Sequence, residues 1–358
     1  MRVAIDGRRL QDQTPGGVAR WISGVLPYLA GAVDLVVLTD SRAPKPDLGV
    51  DVEVVALGAP PGTPSLGWLE LAARRWLRGF DGLFHGPFYA IPLAFRGKAV
   101  VTLHDLAPQT HPEDFRAAKR IAWRAYARSS VKRARTTITV SSYMKDAIVD
   151  YYRIAPERVV IARNAPDARF SPKHATRGRT IAERLGVRTP YVLAIGGARR
   201  RGLQVAIEAW RRARRELPDP PSMIVVGERS VATEPHLVAA PRLDDDEWPA
   251  LLAGADALCY PTRYEGYGLP AIEAAASGTP VVCARVCSLP EVLGDAAAWC
   301  DAPTPEAVTR ALVRLLREPP FAESIRQAGL ARAETAPTWK DAAVAVLHAY
   351  DQALAVDT

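Results

Sequence analysis

The stretch ALCYPTRYEGYGLPAIEAAASGTPVVCA, residues 257–284, has the pattern of a strand, a loop, a helix and a second strand. Its two apolar runs are ALCYP (257–261) and PVVCA (280–284), and the helix is predicted over 270–277. Pro270 fits the first helical position, where its missing N–H costs nothing. Near-continuous apolar strands are typical of a parallel sheet that is covered on both faces. The stretch therefore predicts one βαβ unit.

The same alternation fills the remainder of the chain. Strands are predicted at 2–5, 34–38, 52–57, 82–86, 99–103 and 136–140 in the first half, and at 191–197, 222–227 and 297–301 in the second. Helices are predicted at 18–29, 68–77, 115–134, 245–253 and 305–317, with another that ends at 217 and a last one near 338–354. Such a series predicts two doubly wound α/β domains, joined by a linker near 165–190.

Composition agrees with a globular protein of this size. The chain has 358 residues, enough for two domains of about 150 residues each. It is 48% hydrophobic and 24% charged, which argues against disorder and against a fibre. The four cysteines, all in the last third, have no histidine neighbours and are expected to be reduced thiols rather than zinc ligands. With no signal-peptide pattern and no long apolar run, we expect a cytoplasmic protein.

The formal charge of +7 is unevenly distributed. Residues 115–135 contain eight basic residues and no acid, and a second basic cluster begins at Arg199. Such faces attract nucleic acid, anionic lipid or phosphorylated substrates, and solvated helix faces are the plain alternative. The basic helix lacks a nucleic-acid recognition motif and contains few aromatic residues, so we expect no nucleic-acid partner. A peripheral contact with the inner face of an anionic membrane, or an anionic acceptor, stays open.

Ligands of open parallel sheets bind beyond the carboxyl ends of the strands. After the first strand, Gly16 and Gly17 precede a helix whose N-terminus suits an anion, although a plain flexible turn has the same pattern. His104 and Asp105 end the strand at 99–103. The histidine suits hydrogen bonding to a substrate or proton transfer, and a loop-capping His–Asp pair is the alternative.

Arg199, Arg200 and Arg201 follow the glycines that end the strand at 191–197. Guanidinium groups beside a helix N-terminus suit a diphosphate, although adjacent arginines are also found fully solvated. The two acids of the opening stretch, Glu265 and Glu273, lie on either side of the predicted helix start. Helical side chains lean toward the N-terminus, so Glu273 is expected to point to the loop that carries Glu265. Such a site binds an anion through N–H groups and sugar hydroxyls through carboxylates.

The stretch PTRYEGYGLPAIEAAASGTPVV resembles the E-x7-E signature of retaining glycosyltransferases of family GT4, which have the GT-B architecture. Other segments agree with this family in the same order along essentially the whole chain: GGVARWISGVL, VTLHDL, ITVSSYMKDAIVDYYRIAPERVVIARN, YVLAIGGARRRGL and SLPEVLGDAA. The resemblance implies two Rossmann-like domains facing across a cleft. Their expected bounds are 1–168 for acceptor binding and 169–336 for the sugar nucleotide. The C-terminal helix in 337–358 could pack on either domain, and a crossing back onto the first domain is one of the two expected arrangements.

The resemblance also implies roles for individual residues. Glu273 would hold the ribose hydroxyls, and Glu265 a hydroxyl of the donor sugar. The catalytic pair would be His104 and Glu265, with His104 near the reacting sugar. The remaining implied contacts are Gly16, Gly17, Arg200 and Arg201 for the donor diphosphate, and the loop of Gly266, Tyr267, Gly268 and Leu269 for the donor sugar.

The implied reaction transfers a hexose with retention of configuration. The implied donor is GDP-mannose, a UDP-hexose or a dTDP-sugar, and the acceptor is a hydroxyl of a glycan, a glycolipid or a natural product. A bacterial source is expected. No cofactor and no metal is expected, because arginines and helix N-termini offset the charge of the leaving diphosphate. A DxD pattern within Asp244–Glu247 is interpreted as the start of a helix rather than as a metal site. An NDP-sugar epimerase and a non-catalytic sugar-nucleotide-binding subunit are the alternatives, and the oligomeric state is left open.

The sequence departs from the family at two positions. Arg201 stands where the family usually has a lysine, which keeps the charge and changes the geometry of the contact. Asn164, Ala165 and Pro166 stand where the family has Asn-Gly, so the conformationally free glycine is missing from the turn between the domains.

Overall fold

The computed structural model describes residues 1–12, 16–228, 230–231, 234–241 and 243–355. The chain forms two compact units, which divide between Ala165 and Pro166 and again between Ala336 and Pro337. The segment that begins at Pro337 belongs to the first unit. Both units are doubly wound parallel sheets, so the predicted fold class is confirmed.

The first unit contains seven parallel strands in the order β3-β2-β1-β4-β5-β6-β7. They are β1 Arg2–Asp6, β2 Asp34–Asp40, β3 Glu53–Leu57, β4 Leu83–Gly86, β5 Ala99–Leu103, β6 Thr136–Thr139 and β7 Val159–Ile161. The helices of this unit are α1 Gly17–Ala30, α2 Ser65–Trp68, α3 Arg74–Leu77, α4 Ala107–Thr110, α5 Ala117–Arg133, α6 Ser142–Tyr152 and α14 Trp339–Ala355. The last helix, α14, packs against α1 and against β5, β6 and β7.

The second unit contains six parallel strands in the order β10-β9-β8-β11-β12-β13. They are β8 Tyr191–Ile195, β9 Ser222–Val226, β10 Leu237–Ala239, β11 Ala257–Cys259, β12 Val281–Ala284 and β13 Ala298–Cys300. The helices are α7 Ala175–Arg184, α8 Leu203–Glu216, α9 Glu247–Ala253, α10 Leu269–Ala276, α11 Leu289–Leu293, α12 Pro305–Arg317 and α13 Pro319–Glu334. Cys259, Cys283 and Cys300 are buried in this unit as free thiols, and Cys287 is partly buried.

The predicted linker at 165–190 is wrong, because most of it folds into the second unit. Helix α7 packs along α9 through a short face that contains Gly178, Ile181 and Ala182. A Cβ on Gly178 would lie 1.9 Å from the carbonyl oxygen of Ala250, so only glycine permits this approach. The apolar face is too short and too rich in small residues to stand out from the polar residues around it.

Other elements also lay outside the predictions. Strands β7 and β10, each three residues long, were not predicted. The helix predicted at 68–77 is built from α2, a π-helical turn at Leu69–Ala73, and α3. Among the described residues, no helix has both the length and the apolar character that crossing a membrane requires.

Candidate active site

The sheet of the second unit changes winding direction between β8 and β11. Strands that follow β8 in sequence lie on one side of it, and β11 begins the other side. Ligands of doubly wound sheets bind at such a point, beyond the carboxyl ends of the strands. The loop that leaves β8 contains the predicted arginines, and the loop that leaves β11 contains Glu265. Glu273 lies in the helix that follows this second loop, α10. The predicted donor-site residues of this unit therefore all follow strand ends at one edge of the sheet.

The arginines form a single turn of 3-10 helix at Arg199–Arg201, directly before α8. Gly202 ends this turn with φ of +72° and serves as the N-cap of α8. Arg201 donates a hydrogen bond from Nη1 to the carbonyl of Gly196 at 3.0 Å. Its Nε is buried and has no hydrogen-bond partner among the described residues. A buried guanidinium donor without a partner is costly, and a bound anion would satisfy it.

The glutamate loop leads from β11 into α10. Gly268 is the N-cap of α10 with φ of +97°, and a Cβ there would lie 2.5 Å from Leu289. The left-handed backbone favours glycine at this position, whereas the approached atom is a terminal methyl group of Leu289 that can rotate away. Pro270 is the second residue of the helix, one position later than predicted from the sequence. Helix α10 therefore starts sharply, and its N-cap residue has no side chain that could cap the first backbone N–H groups.

The arginine turn, Arg199–Arg201, and the glutamate loop between β11 and α10 are hydrogen-bonded to each other. The carbonyl of Arg200 accepts hydrogen bonds from the backbone N–H of Arg263 at 2.7 Å and from Oγ1 of Thr262 at 3.2 Å. A Cβ on Gly202 would lie 2.3 Å from the carbonyl oxygen of Pro261. The two loops thus hold one relative position, which sequence reasoning did not foresee.

The two carboxylates have different surroundings. Glu273 is the fifth residue of α10 and is only 2% exposed, so it is not one of the solvated acids that commonly favour a first helical turn. Glu265 accepts a hydrogen bond through Oε1 from the hydroxyl of Tyr260. Burial and the nearby Glu265 raise the pKa of Tyr260 well above its usual value, while Arg201 and Arg200 act in the opposite direction. Tyr260 was not predicted as a site residue.

The corresponding edge of the first unit contains the predicted glycines. Its sheet changes direction between β1 and β4. Gly16 is the N-cap of α1, with φ of −84° that any residue adopts. A Cβ on Gly16 would meet nothing within 4 Å among the described residues, so its role is not to relieve crowding. Gly16 and Gly17 are both exposed and leave a bare backbone at a helix N-terminus.

His104 lies directly beyond β5 at the same edge. Its Nε2 is 2.9 Å from the carbonyl of Pro87, and its ring packs edge-on against Trp21 of α1. The carbonyl requires a proton on Nε2, which leaves Nδ1 as an acceptor in the neutral ring. Burial lowers the pKa of His104 to about 4, against the opposing effects of Pro87 and Asp105. The imidazole is therefore neutral at pH 7.

Asp105, the next residue, accepts two hydrogen bonds that hold the surrounding loops. Its Oδ1 accepts hydrogen bonds from the hydroxyl of Tyr89 at 2.5 Å and from the N–H of Ala107 at 2.8 Å. Tyr89 has φ of +61°, which is uncommon for a residue other than glycine. Strained backbone of this kind is concentrated at functional sites.

A second pair at this edge escaped the sequence analysis. Asp6 is the last residue of β1. Its carboxylate accepts hydrogen bonds from Nε of Arg8 at 2.9 Å and from Nη2 of Arg8 at 2.6 Å. The guanidinium of Arg8 also lies 4.1 Å from the ring centre of Trp68. The only signal in the sequence was an aspartate at a strand end, two residues before an arginine.

The acids of the DxD pattern bind arginines of α7. Asp246 accepts a hydrogen bond from Arg177 at 2.6 Å, and Glu247 pairs with Arg184. Glu247 also accepts the backbone N–H of Asp244 at 2.9 Å. The side chain of Asp246 makes no capping hydrogen bond to α9. These acids thus join α7 to α9 and lie far in sequence from the arginine turn.

Both halves of the chain match family models of known proteins. Residues 182–332 match the family model described as glycosyl transferases group 1, and residues 15–170 match the model described as glycosyltransferase family 4. The O-antigen chain mannosyltransferase B of Escherichia coli is 26% identical over 289 residues, which are 75% of this chain and 74% of that protein. The glycogen synthase of Mycobacterium tuberculosis is 30% identical over 294 residues, 78% of this chain and 67% of that protein.

A solved structure shows the same fold. HepE of Anabaena, in complex with UDP-glucose, superposes with a TM-score of 0.71 at 17% identity, covering 97% of this chain and 98% of that one. The fold is therefore of the GT-B type, and the two family matches make the chain a glycosyltransferase. It belongs to the glycosyltransferase group 1 family, GT4, as the resemblance in the sequence predicted.

Proposed function

We propose that the protein transfers a hexose, with retention of anomeric configuration, from a nucleotide-diphosphate sugar to a hydroxyl acceptor. The observation that carries this proposal is the edge of the second unit between β8 and β11. That edge carries the N-termini of two helices, an arginine turn and the carboxylate of Glu265, in two loops that are hydrogen-bonded to each other, and the carboxylate of Glu273 follows in α10. Each group matches one chemical part of a sugar nucleotide.

The diphosphate is assigned to Arg200 and Arg201 with the N-termini of α8 and α10. The buried Nε of Arg201 supports this assignment, because a phosphate oxygen would supply its missing acceptor. Glu273 binds the ribose hydroxyls, and Glu265 binds a hydroxyl of the sugar, with the Gly266–Leu269 segment presenting backbone N–H groups. Carboxylates suit hydroxyls because they only accept hydrogen bonds, and each oxygen has more than one lone pair.

The first unit contributes a neutral histidine and the acceptor site. His104 accepts a hydrogen bond from a substrate hydroxyl through Nδ1, which its low pKa keeps unprotonated at pH 7. Gly16 and Gly17 offer N–H groups to phosphate oxygens. Because His104 is neutral, it adds no positive charge, so the cations of the arginine turn stabilise the negative charge of the departing phosphate.

In the reaction, the bond from the anomeric carbon to the diphosphate oxygen breaks, and the acceptor oxygen forms its bond on the same face of the sugar. The acceptor proton passes to the leaving phosphate oxygen. The arginines and the helix N-termini stabilise the negative charge that develops there, so no metal ion is required.

The names of relatives favour mannose as the sugar. The Escherichia coli relative is a mannosyltransferase of O-antigen chains, and a relative from Mycolicibacterium hassiacum, 30% identical over 234 residues, is an α-(1→4)-mannosyltransferase. We therefore place GDP-mannose first, with UDP-glucose and a dTDP-sugar as the other donors to be compared. The acceptor is a hydroxyl of a glycan or glycolipid.

Thermal unfolding of the full chain with GDP-mannose, UDP-glucose and dTDP-glucose tests the proposal. The true donor should raise the melting temperature, because it binds only the folded state. Incubation of that donor without acceptor should then release the free sugar slowly. Release in EDTA at the same rate supports metal independence, and NMR of the anomeric proton of a transfer product decides retention. No stabilisation by any donor contradicts the proposal, and an epimerised sugar nucleotide identifies an isomerase instead.

A contact with an anionic membrane is proposed for the first unit. Trp68 and Trp123 are buried, so these tryptophans of the basic helices belong to the core and are not interfacial anchors. The exposed apolar side chains of this region are Leu71 at 53%, Leu93 at 43% and Ile121 at 63%. Exposed leucine and isoleucine beside exposed arginines suit the boundary between headgroups and acyl chains.

A further inference from the structure

Two buried hydroxyl groups hold Glu265 and its loop from behind. Tyr260 follows β11 directly, is 1% exposed, and donates a hydrogen bond to Oε1 of Glu265. Ser288 is fully buried in the loop between β12 and α11. Its Oγ lies 3.1 Å from the carbonyl oxygen of Glu265 and 2.9 Å from that of Tyr267. One hydroxyl therefore fixes the side chain of Glu265, and the other fixes the backbone on both sides of Gly266.

The tyrosine donates its hydroxyl proton to the carboxylate. Burial raises the pKa of Tyr260 well above the usual value, so the phenol is protonated at neutral pH. A glutamate in a loop has three side-chain torsions, and binding one of its oxygens to a fixed donor removes most of that freedom. The carboxylate then presents itself in one orientation, which is the condition for recognising a particular hydroxyl of a sugar.

Ser288 holds the glutamate loop from the loop that follows β12. Because β12 pairs with β11, the loop after β12 runs beside the glutamate loop. A hydroxyl has a single proton, so Ser288 donates it between two carbonyls that belong to the same short segment. This contact holds the segment against the loop after β12, while Thr262 and Arg263 hold it against the arginine turn.

We propose that Tyr260 and Ser288 are positioning residues that set the orientation of Glu265 and thereby the affinity and turnover of the donor sugar, without contributing to binding of the nucleotide. This inference rests on the proposed function, in which Glu265 binds the sugar and Glu273 with the arginines binds the nucleoside diphosphate. The two residues are buried behind the loop, so they act on the sugar through Glu265 and the loop that carries it.

A purely structural role would also make these hydroxyls important, so matched controls are needed. Tyr191 is fully buried in the same unit and donates from its hydroxyl to the carbonyl of Leu251 at 2.7 Å. Thr279 is buried and donates to the carbonyl of Leu252 at 2.5 Å. Tyr191→Phe and Thr279→Val thus remove a buried hydroxyl with its hydrogen bond, as Tyr260→Phe and Ser288→Ala do, outside the candidate active site.

The test measures, by calorimetry on the full chain, the affinity for GDP-mannose and the affinity for GDP. If UDP-glucose rather than GDP-mannose raises the melting temperature, UDP-glucose and UDP are compared instead. Tyr260→Phe should lose about tenfold in affinity for the sugar nucleotide, as expected for a lost hydrogen bond to a charged group, and less than about twofold for the diphosphate. Ser288→Ala should change the same ratio in the same direction. Turnover of the donor should fall with it, and both control variants should keep the wild-type ratio.

Equal losses for both ligands, or a Tyr260→Phe ratio like that of Tyr191→Phe, would overturn the positioning role and leave the proposed function intact. Wild-type protein that binds neither sugar nucleotide would overturn the proposed function and this inference together. If Tyr260→Phe does not fold, Ser288→Ala decides alone, since it leaves the tyrosine in place.

Discussion

Tyr350 of the C-terminal helix and His85 of β4 are joined by a hydrogen bond of 2.7 Å between the phenolic oxygen and Nδ1. The second ring nitrogen of His85 is 2.7 Å from Oγ1 of Thr102 on β5. His85 also packs edge-on against Trp21 of α1. All four side chains are fully buried, so this chain of contacts attaches α14 to two central strands of the first unit. Sequence reasoning predicted the helix and missed the histidine.

His85 should make the stability of the protein depend on pH. Burial lowers its pKa to about 3, from 6.5 in the unfolded chain, so the unfolded state binds the extra proton below pH 6.5. The contribution of His85 to the free energy of unfolding should therefore be fully present above pH 6.5. Below pH 6.5 this contribution should fall by about 1.4 kcal/mol per pH unit. His104 contributes in the same direction.

Urea unfolding at several pH values between 7 and 5 measures this slope before carboxylates begin to titrate. His85→Asn should be less stable at pH 7 and should show a shallower loss on acidification. Parallel curves for the wild type and the variant would show that His85 is not the group responsible.

Gly202→Ala should destabilise the second unit and weaken donor binding. The new Cβ would lie 2.3 Å from the carbonyl of Pro261, at a φ of +72° that L-residues adopt with strain. We expect a loss of about 2 to 4 kcal/mol in unfolding free energy, from the backbone strain and the crowding together. Gly186→Ala is the matched control, because Gly186 has φ of +77° with nothing within 4 Å of its Cβ position among the described residues.

The difference between these two variants in urea unfolding isolates the contact between the arginine turn and the glutamate loop. Gly186→Ala should lose about 1 kcal/mol and bind the donor as the wild type does. Equal losses in the two variants would show that the close approach has no energetic consequence.

Glu273→Gln and His104→Ala should affect different kinetic parameters. Loss of the carboxylate at position 273 should weaken donor binding by about 10-fold to 100-fold with a smaller effect on kcat, because a ribose contact is made equally before and during reaction. Loss of the imidazole at position 104 should mainly lower kcat. Initial rates over a range of donor concentrations separate the two effects. The same change of kcat and KM in both variants would contradict these assignments.

Reversing charges on α5 should release the protein from anionic vesicles. Arg124 and Arg128 are exposed, whereas Arg120 is partly buried with its Nε inside the protein, so only the first two suit this test. The double variant Arg124→Glu, Arg128→Glu should lose most of its binding to phosphatidylglycerol vesicles in a flotation assay, at about 1 kcal/mol for each cation removed. Lys173→Glu with Arg215→Glu changes the same charge at exposed positions of the second unit and should bind as the wild type does. Unchanged flotation of the α5 variant would exclude this surface.

The residues of the candidate site differ in how far the sequence revealed them. Strand ends and helix starts, which a pattern along the chain locates, carry the residues that the sequence revealed: His104, Arg200, Arg201, Glu265 and Glu273. Tyr260 and Ser288 look like ordinary members of an apolar strand and a short loop. Their contacts lie with residues on another part of the fold, and no periodicity encodes such a contact.

The sequence by itself determined the alternation of strands and helices, the glycines that start α8 and α10, and the acids and cations beside them, because each depends on neighbours a few residues away. The tertiary structure alone decided that the arginine turn lies against the glutamate loop. Arg200 and Thr262 are 62 residues apart, and they meet because β11 pairs with β8 after the chain has passed through β9 and β10 on the other side. That choice of neighbours is made by burial of whole sheet faces, and it places the hydroxyls of Tyr260 and Ser288 around Glu265.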